Sequence, residues 1–184
     1  IGSTAYSGTF ESESPVLVQA LAKQLVNKKK PKVAVLDFND INGRPTELGR
    51  FLSEQLAVDM VMAEGITLVD RANISAIMAE HQLTTEGLVK PENAKKLGEF
   101  AGVDAILIGT LASVDEVVTL TVKGVSTETA EVVAAGRMKF DTTKDLQRMM
   151  GLSLKGGGAA VSTGSGIRAS DSEAIATREV GPLT

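Results

Sequence analysis

The stretch Val33-Ala-Val-Leu-Asp-Phe38 decides the fold of this 184-residue chain. Its unbroken apolar run is typical of a strand that is buried on both faces of a sheet. A second such run, Asp104-Ala-Ile-Leu-Ile-Gly-Thr-Leu111, and a shorter one, Ile66-Thr-Leu-Val69, follow it along the chain. Because segments with helical periodicity separate the three runs, we predict parallel strands joined by right-handed helical crossovers.

Helix starts are predicted from capping residues that stand just before apolar side chains at helical spacing. The predicted starts are Ser14, Thr46, Asp70 or Asn73, Pro91 and Thr143. Pro15 suits the first position of a helix capped by Ser14, because that position needs no backbone donor. Gly65 and Gly102 are well placed to end the second and fourth helices.

The pattern changes after residue 111 to an alternation of apolar and polar side chains. This alternation covers residues 117–140 and is interrupted by the turn residues 127–130, which predicts an antiparallel hairpin with one solvent-facing side. Residues 39–43 contain turn-forming types and predict a loop. The fold class is therefore α/β, a mixed sheet of about five strands with a parallel βαβ part, a C-terminal antiparallel hairpin and helices packed on it.

Three regions are predicted along the chain. Residues 1–13 form a flexible N-terminal lead, residues 14–150 the α/β domain, and residues 151–184 a Gly/Ser-rich C-terminal extension. The extension has too few apolar side chains to offset its ordering entropy, so we expect it to order only against a partner. No segment approaches the roughly 20 apolar residues of a membrane-spanning helix.

Composition excludes several classes of function. The chain has no cysteine and one histidine, which leaves no thiolate chemistry, Cys-type zinc site or His-centred proton relay. Its net charge of −4 gives no general attraction to nucleic acid or to anionic membranes. We therefore predict no catalytic residue, no cofactor, no metal site and no nucleic-acid partner, and we expect that the protein is not an enzyme.

Glycine-rich and basic motifs give no convincing binding site. Gly164-Ser-Gly166-Ile-Arg-Ala169 matches the dinucleotide pattern but lacks the flanking strand and helix that the chemistry needs. Lys155-Gly-Gly-Gly158 lacks the ending of a phosphate-binding loop. The basic run from Lys28 to Lys32 carries too little charge to bind a polyanion alone and is interpreted as a solvated linker.

Acidic residues stand at the predicted strand ends, near Asp37, Asp70 and Asp104. Open α/β sheets often bind ligands at the carboxyl ends of their strands, which makes a small-ligand site one hypothesis. The favoured interpretation is structural: Asp70 caps the following helix and Arg71 pairs with a nearby acid. His81 is interpreted as a partly packed residue at a helix end.

Six phrases occur in a fixed order between residues 33 and 110: 33–38, 48–56, 68–71, 77–83, 94–98 and 102–110. They include Leu48-Gly-Arg-Phe-Leu-Ser-Glu-Gln-Leu56 and Ile77-Met-Ala-Glu-His-Gln-Leu83. The series resembles the FlgO/CsgG-type family of bacterial outer-membrane assembly lipoproteins, over approximately residues 16–150. The likeness is greatest to the flagellar outer-membrane FlgO branch of that family.

The resemblance implies a periplasmic, outer-membrane-associated domain that acts in assembly or scaffolding through contacts with other envelope proteins, as in flagellar or curli-type secretion. It implies a possible homo-oligomer, and membrane attachment only through a lipid anchor upstream of Ile1. Channel-forming relatives insert apolar hairpins, whereas the hairpin here carries Glu116, Lys123, Arg137 and Lys139, so we predict no pore. The alternative is a periplasmic small-ligand or peptidoglycan-linked regulatory domain of the type that activates penicillin-binding proteins.

Overall fold

The computed structural model describes residues 8–26, 30–85, 88 and 90–151. Within these ranges the chain forms helices and strands in an alternating N-terminal half and a meander of long strands near the C-terminus. The elements are α1 (Phe10–Leu25), β1 (Lys32–Val35), β2 (Asn39–Asp40), α2 (Glu47–Met62), β3 (Thr67–Leu68), α3 (Arg71–Glu80), α4 (Pro91–Ala101), β4 (Ala105–Val114), β5 (Val117–Ser126), β6 (Val132–Asp141) and α5 (Lys144–Gly151).

The strands form one mixed sheet in the order β3-β1-β4-β5-β6, and β2 pairs with the far part of β4. β1 runs parallel to both β3 and β4, with Val33 beside Leu68 on one side and Ala105 on the other. β4, β5 and β6 are antiparallel neighbours. The predicted mixed α/β fold, with crossover helices and a C-terminal antiparallel hairpin, is confirmed.

The core lies on both faces of the sheet. On one face α1, α2 and α5 pack on the strands, and side chains such as Leu21, Leu52 and Phe140 are fully buried there. On the other face α3 and α4 form a smaller cluster that includes Ile74 and Leu97. This second cluster covers the parallel part of the sheet, because its strand residues come from β1, the segment that follows β1, and the first half of β4.

The first helix begins at Phe10, so the predicted start at Ser14 was wrong. Thr9 is the cap: its hydroxyl accepts the Ser12 N–H at 3.3 Å, and the Thr9 N–H donates to the Ser12 hydroxyl at 3.0 Å. This reciprocal capping box satisfies two N-terminal donors and starts the helix five residues before the position that a Ser14 cap predicts. Pro15 therefore lies inside the helix, and part of the predicted N-terminal lead is helical.

The other predicted helix starts agree with the structure. Thr46 and Asp70 each accept a backbone N–H of the first turn of α2 and α3, which decides between Asp70 and Asn73. Pro91 opens α4, and Gly102 ends it with a left-handed backbone (φ 63°) that glycine adopts without strain.

Residues 39–43, predicted as a loop, begin with the short strand β2. Asn39 lies beside Thr110 and Asp40 beside Leu111 of β4. The turn starts only at Asp40, whose carboxylate accepts the N–H groups of Asn42 at 2.8 Å and Arg44 at 2.9 Å. Because the turn is made by this side chain, the two residues at its entrance stay extended along β4 and extend the sheet.

The outer edge of β6 is closed by groups from α1 and the residues before it. The side-chain amide of Gln24 donates to the carbonyl of Ala135 at 2.9 Å and accepts the N–H of the same residue at 3.1 Å. At the other end of the strand, the Gly8 carbonyl accepts the N–H of Asp141 at 2.9 Å. These bonds occupy edge groups that a further strand would need for pairing.

The described residues set two limits on the remaining predictions. Within them, no helix combines the length and the apolar character needed to cross a lipid bilayer. The division of the chain at residues 14 and 150 stays a prediction, and the extension from residue 152 onward lies outside the described residues.

Candidate interaction surface

An ion-pair cluster centred on Arg71 joins the carboxyl ends of β1 and β3 to α2. One guanidinium nitrogen lies 2.8 Å and 2.9 Å from the two carboxylate oxygens of Asp37, and the other contacts the carboxylate of Glu54. The Ser53 hydroxyl lies 3.4 Å from Asp37. The strand-end charges are therefore satisfied by one another, as the structural interpretation of Arg71 predicted.

The acids of the small-ligand hypothesis do not form one site. Asp70 caps α3 by accepting the N–H of Ala72 at 3.1 Å. Asp104 precedes β4, and its carboxylate accepts the N–H of Lys32 at 2.7 Å. Because β1 and β4 are parallel, Asp104 lies at the amino end of the sheet, at the opposite edge from Asp37. The hypothesis of a site shared by these three acids was wrong.

His81 ends α3, and its ring stacks on Phe100 of α4, with centroids 3.8 Å apart and planes at 6°. This placement confirms the interpretation of His81 as a partly packed residue at a helix end. In the part of the chain that the structure describes, no three His, Asp or Glu side chains come together as a metal-binding group. The glycine motifs at 155–158 and 164–169, and Lys28 and Lys29, lie outside the described residues.

The antiparallel half of the sheet has helices on one face only. Alternate side chains of β5 and β6, such as Leu120, Met138 and Phe140, are buried against the layer that contains α1. The side chains between them point to the opposite side of the sheet. We call this side the open face; it comprises Ile108, Thr110, Ala112, Val114, Val117, Thr119, Thr121, Lys123, Ala135, Arg137, Lys139 and Asp141.

Three cations lie close together on the open face: Lys123, Arg137 and Lys139. Arg137 and Lys139 are alternate residues of β6, so their Cα atoms are about 7 Å apart. Lys123 lies opposite Ala135 and is therefore a diagonal neighbour of Arg137, at about 7–8 Å. All three are exposed, and none forms an ion pair with an acid of the described ranges.

A cleft of about 230 Å³ continues the open face toward the turn after β2. Thr121 and Lys123 line one side, and Asp40 and Ile41 line the other. Burial is the largest single effect on the Asp40 carboxyl and raises its pKa, but the N–H donors of Arg44 and Asn42 and the Arg44 guanidinium together outweigh it and lower the pKa overall. Asp40 is thus held as an ionised acid that braces the turn, in an ion pair of 2.8 Å with Arg44.

The sequence matches the family model described as FlgO protein over residues 16–145, which includes every element except the start of α1 and most of α5. The chain belongs to the FlgO family. The FlgO part of the sequence resemblance is confirmed, whereas the wider CsgG-type grouping stays a prediction. The strands that carry the open face lie inside the matched range. A comparison with curated protein sequences gave no significant match.

Solved structures with the same fold include C-terminal domains of LpoB. The domain from Salmonella enterica has a TM-score of 0.55 at 15% identity, and the match covers 71% of this FlgO-family chain and 99% of that domain. The domain from Escherichia coli gives a TM-score of 0.54 at 15% identity, with the same coverage. An NMR structure of E. coli LpoB gives 0.53 at 17% identity, covering 68% of this chain and 66% of that one. At these identities the likeness concerns the fold alone.

Sequence reasoning named Lys123, Arg137 and Lys139 only as polar interruptions of the FlgO-family hairpin. Each occupies a solvent-facing position of an alternating strand, which predicts that they share one face. Their closeness depends on the register between β5 and β6, which shifts at Gly124 and Val125. The alternation of apolar and polar side chains was enough to predict that the three cations share one face. The register between β5 and β6 was needed to show that they are neighbours.

Proposed function

We propose that this FlgO-family domain is a non-enzymatic assembly or scaffold domain of the cell envelope, facing the periplasm at the outer membrane and acting through protein–protein contacts. The observation that carries the proposal is the open face, a side of three long paired strands that no described helix covers. Family membership supports the envelope setting. The proposal includes association with envelope proteins or a second copy, and attachment to the membrane through a lipid anchor upstream of Ile1.

The strand ends favour a contact surface over a small-ligand site. Arg71 and the acids around it already satisfy one another's charges. Sheet faces, in contrast, offer the broad area that protein interfaces of about 800 Å² per partner require.

The second candidate is a peptidoglycan-linked regulatory domain of the type that activates penicillin-binding proteins. The fold shared with the LpoB C-terminal domains is compatible with it. It differs from the first candidate in its partner and makes a separate prediction: the protein would sediment with isolated peptidoglycan. An assembly domain would stay in the supernatant unless its protein partner were added.

Site-specific photocrosslinking in the producing bacterium tests the proposal. A photoreactive residue replaces Thr119, at the centre of the open face, or Gln55, an exposed residue of α2 that serves as the matched control. We expect discrete adducts with envelope proteins or with a second copy at Thr119 and none at Gln55. The absence of adducts at Thr119, or the same adducts at both positions, would contradict an interface on the open face.

A further inference from the structure

The open face carries a cluster of positive charges, whereas the whole chain has a net negative charge. The protein has a net charge of −4, yet Arg137 stands about 7–8 Å from both Lys123 and Lys139 on neighbouring positions of β5 and β6. Like charges placed side by side on a sheet are unfavourable. Two acids stand near them, Asp141 beside Lys139 on β6 and Asp40 across the cleft from Lys123, but neither forms an ion pair with these cations in the described ranges. An incoming anionic group would therefore relieve the repulsion.

The spacing of these cations fits an extended polypeptide. Side chains on one side of any extended chain recur every two residues, at about 6.6–6.8 Å, which is the separation of Arg137 and Lys139. Acids at alternate positions of such a segment would therefore face both cations at once. On a helix, the neighbours on one face are three or four residues apart and about 5–6 Å from each other, which matches this row less well.

Building on the proposed function, we propose that the open face binds an extended, acidic segment of a partner protein. Its alternate carboxylates pair with Arg137 and Lys139, and a further acid pairs with Lys123. Thr119 and Thr121 lie opposite Lys139 and Arg137 on β5, and their hydroxyls offer hydrogen bonds to the backbone of the segment.

Other anionic partners fit the open face less well. The face contains no aromatic side chain, and aromatic rings are the usual stacking platform for nucleic-acid bases. Its larger apolar side chains are Ile108, Val114 and Val117, and it lacks the Trp, Phe and Leu side chains that typically anchor a protein in a bilayer interface. Three cations alone attract an anionic membrane only weakly, because each contributes little at physiological salt. A short acidic peptide segment needs no more than these three charges and the row of hydroxyls.

Charge reversal in the full-length protein tests the proposal. Arg137→Glu with Lys139→Glu changes the open face, and Lys95→Glu with Lys96→Glu makes the same change in net charge on exposed residues of α4. The probe is a labelled synthetic peptide with glutamate at every second position and threonine or valine between. A second peptide of the same composition groups its glutamates in adjacent pairs, so that no two of them stand two residues apart.

We expect the alternating peptide to bind the wild-type chain and to be weakened at least about tenfold by the open-face reversal. The α4 control should stay within about twofold, and the second peptide should bind more weakly. Fluorescence anisotropy gives the affinities, and added salt should reduce them. Equal loss in both double variants, or no preference between the peptides, would overturn the proposal. Binding of anionic lipid vesicles or peptidoglycan in place of the peptide would also overturn it.

Two further measurements separate this proposal from the proposed function. Arg137→Gln with Lys139→Gln removes the charges without introducing new ones, and circular dichroism checks that each variant is folded. If the Thr119 adducts persist in the charge-reversed chain, the acidic-segment proposal fails while the proposed function stands. If Thr119 gives no adduct in the wild-type chain but the alternating peptide binds selectively, the proposed function fails and the chemistry of the surface is still supported.

Discussion

Replacing Gly49 by alanine would place a methyl group where it overlaps the backbone of Phe38, in the segment between β1 and α2. A Cβ atom on Gly49 would lie 1.7 Å from the carbonyl oxygen of Phe38 and 2.7 Å from its carbonyl carbon. Both are main-chain atoms, so no side-chain rotation can relieve the overlap. The start of α2 would have to move away from the end of β1 by about 1.5 Å to restore normal contact.

The expected loss of folding stability follows from the side chains that α2 buries. Leu48, Leu52, Leu56 and Met60 are all fully buried, and a gap of this size forfeits at least a quarter to a half of their contact energy on the opened side. Overpacking typically costs about 1–3 kcal/mol and occasionally more. The overlap with main-chain atoms puts Gly49→Ala at about 3–4 kcal/mol, and the better helix propensity of alanine returns about 1 kcal/mol. We expect Gly49→Ala to lower the free energy of unfolding by about 2–3 kcal/mol and Tm by roughly 4–12 °C.

Urea unfolding followed by far-UV circular dichroism measures this difference. Gly151→Ala is the matched control, because Gly151 is also helical and a Cβ atom there would meet nothing within 4 Å. The control should change stability by no more than about 0.5 kcal/mol. A Gly49→Ala protein as stable as the control would refute the close docking of α2 on the end of β1.

Three further substitutions probe the charges and the sheet edge. Arg71→Met leaves Asp37 without its cation and Glu54 with only the 4.0 Å ion pair to Arg50, and we expect a loss of about 1 kcal/mol in urea unfolding at low salt that shrinks at about 1 M NaCl; a salt-independent loss would point to packing. The pKa of Asp40 is lowered in the folded chain. The stability that its ionised carboxylate contributes is therefore fully present above its ordinary pKa of about 3.9, and it is lost as the pH falls through the lower pKa of the folded state. Asp40→Asn should therefore lower the urea midpoint near neutral pH and differ less from wild type at about pH 3, and an equal difference at both pH values would contradict this. Gln24→Leu keeps the size of the side chain but frees edge groups of β6, so light scattering should detect more association than in wild type, and an unchanged monomer fraction would argue against the capping role.

Much of the fold could be predicted because local signals agreed with the tertiary structure. Thr46, Pro91 and Gly102 mark helix ends by their own chemistry, independently of distant residues. The start of α1 was missed because Thr9 is paired with Ser12, a residue that is uncommon at that position of a capping box, while Ser14 looked like the better cap. Strand β2 was missed because two residues of turn-forming type carry no periodicity.

The candidate surface could not be predicted in full from the sequence, because it depends on contacts between residues that are far apart along the chain. Arg71 and Asp37 are far apart in sequence and meet only because β1 and β3 are parallel neighbours. The position of Asp104 before its apolar run, by contrast, already indicated the amino end of β4. The clustering of Lys123 with Arg137 follows from the β5–β6 register, and that register is set by the turn and the bulge between the strands.

The division of the sheet into a parallel and an antiparallel half has a consequence for how the chain folds. β4, β5 and β6 follow one another directly, so their pairing closes short loops and forms early. The pairing of β1 with β4 must instead close a long loop, since 72 residues separate Lys32 from Asp104. In a chain delivered amino terminus first, the apolar run of β1 emerges well before its central neighbour exists. The β4–β6 meander is synthesised last, and β1 is synthesised first. β1 can therefore pair only after β4 is available as its neighbour.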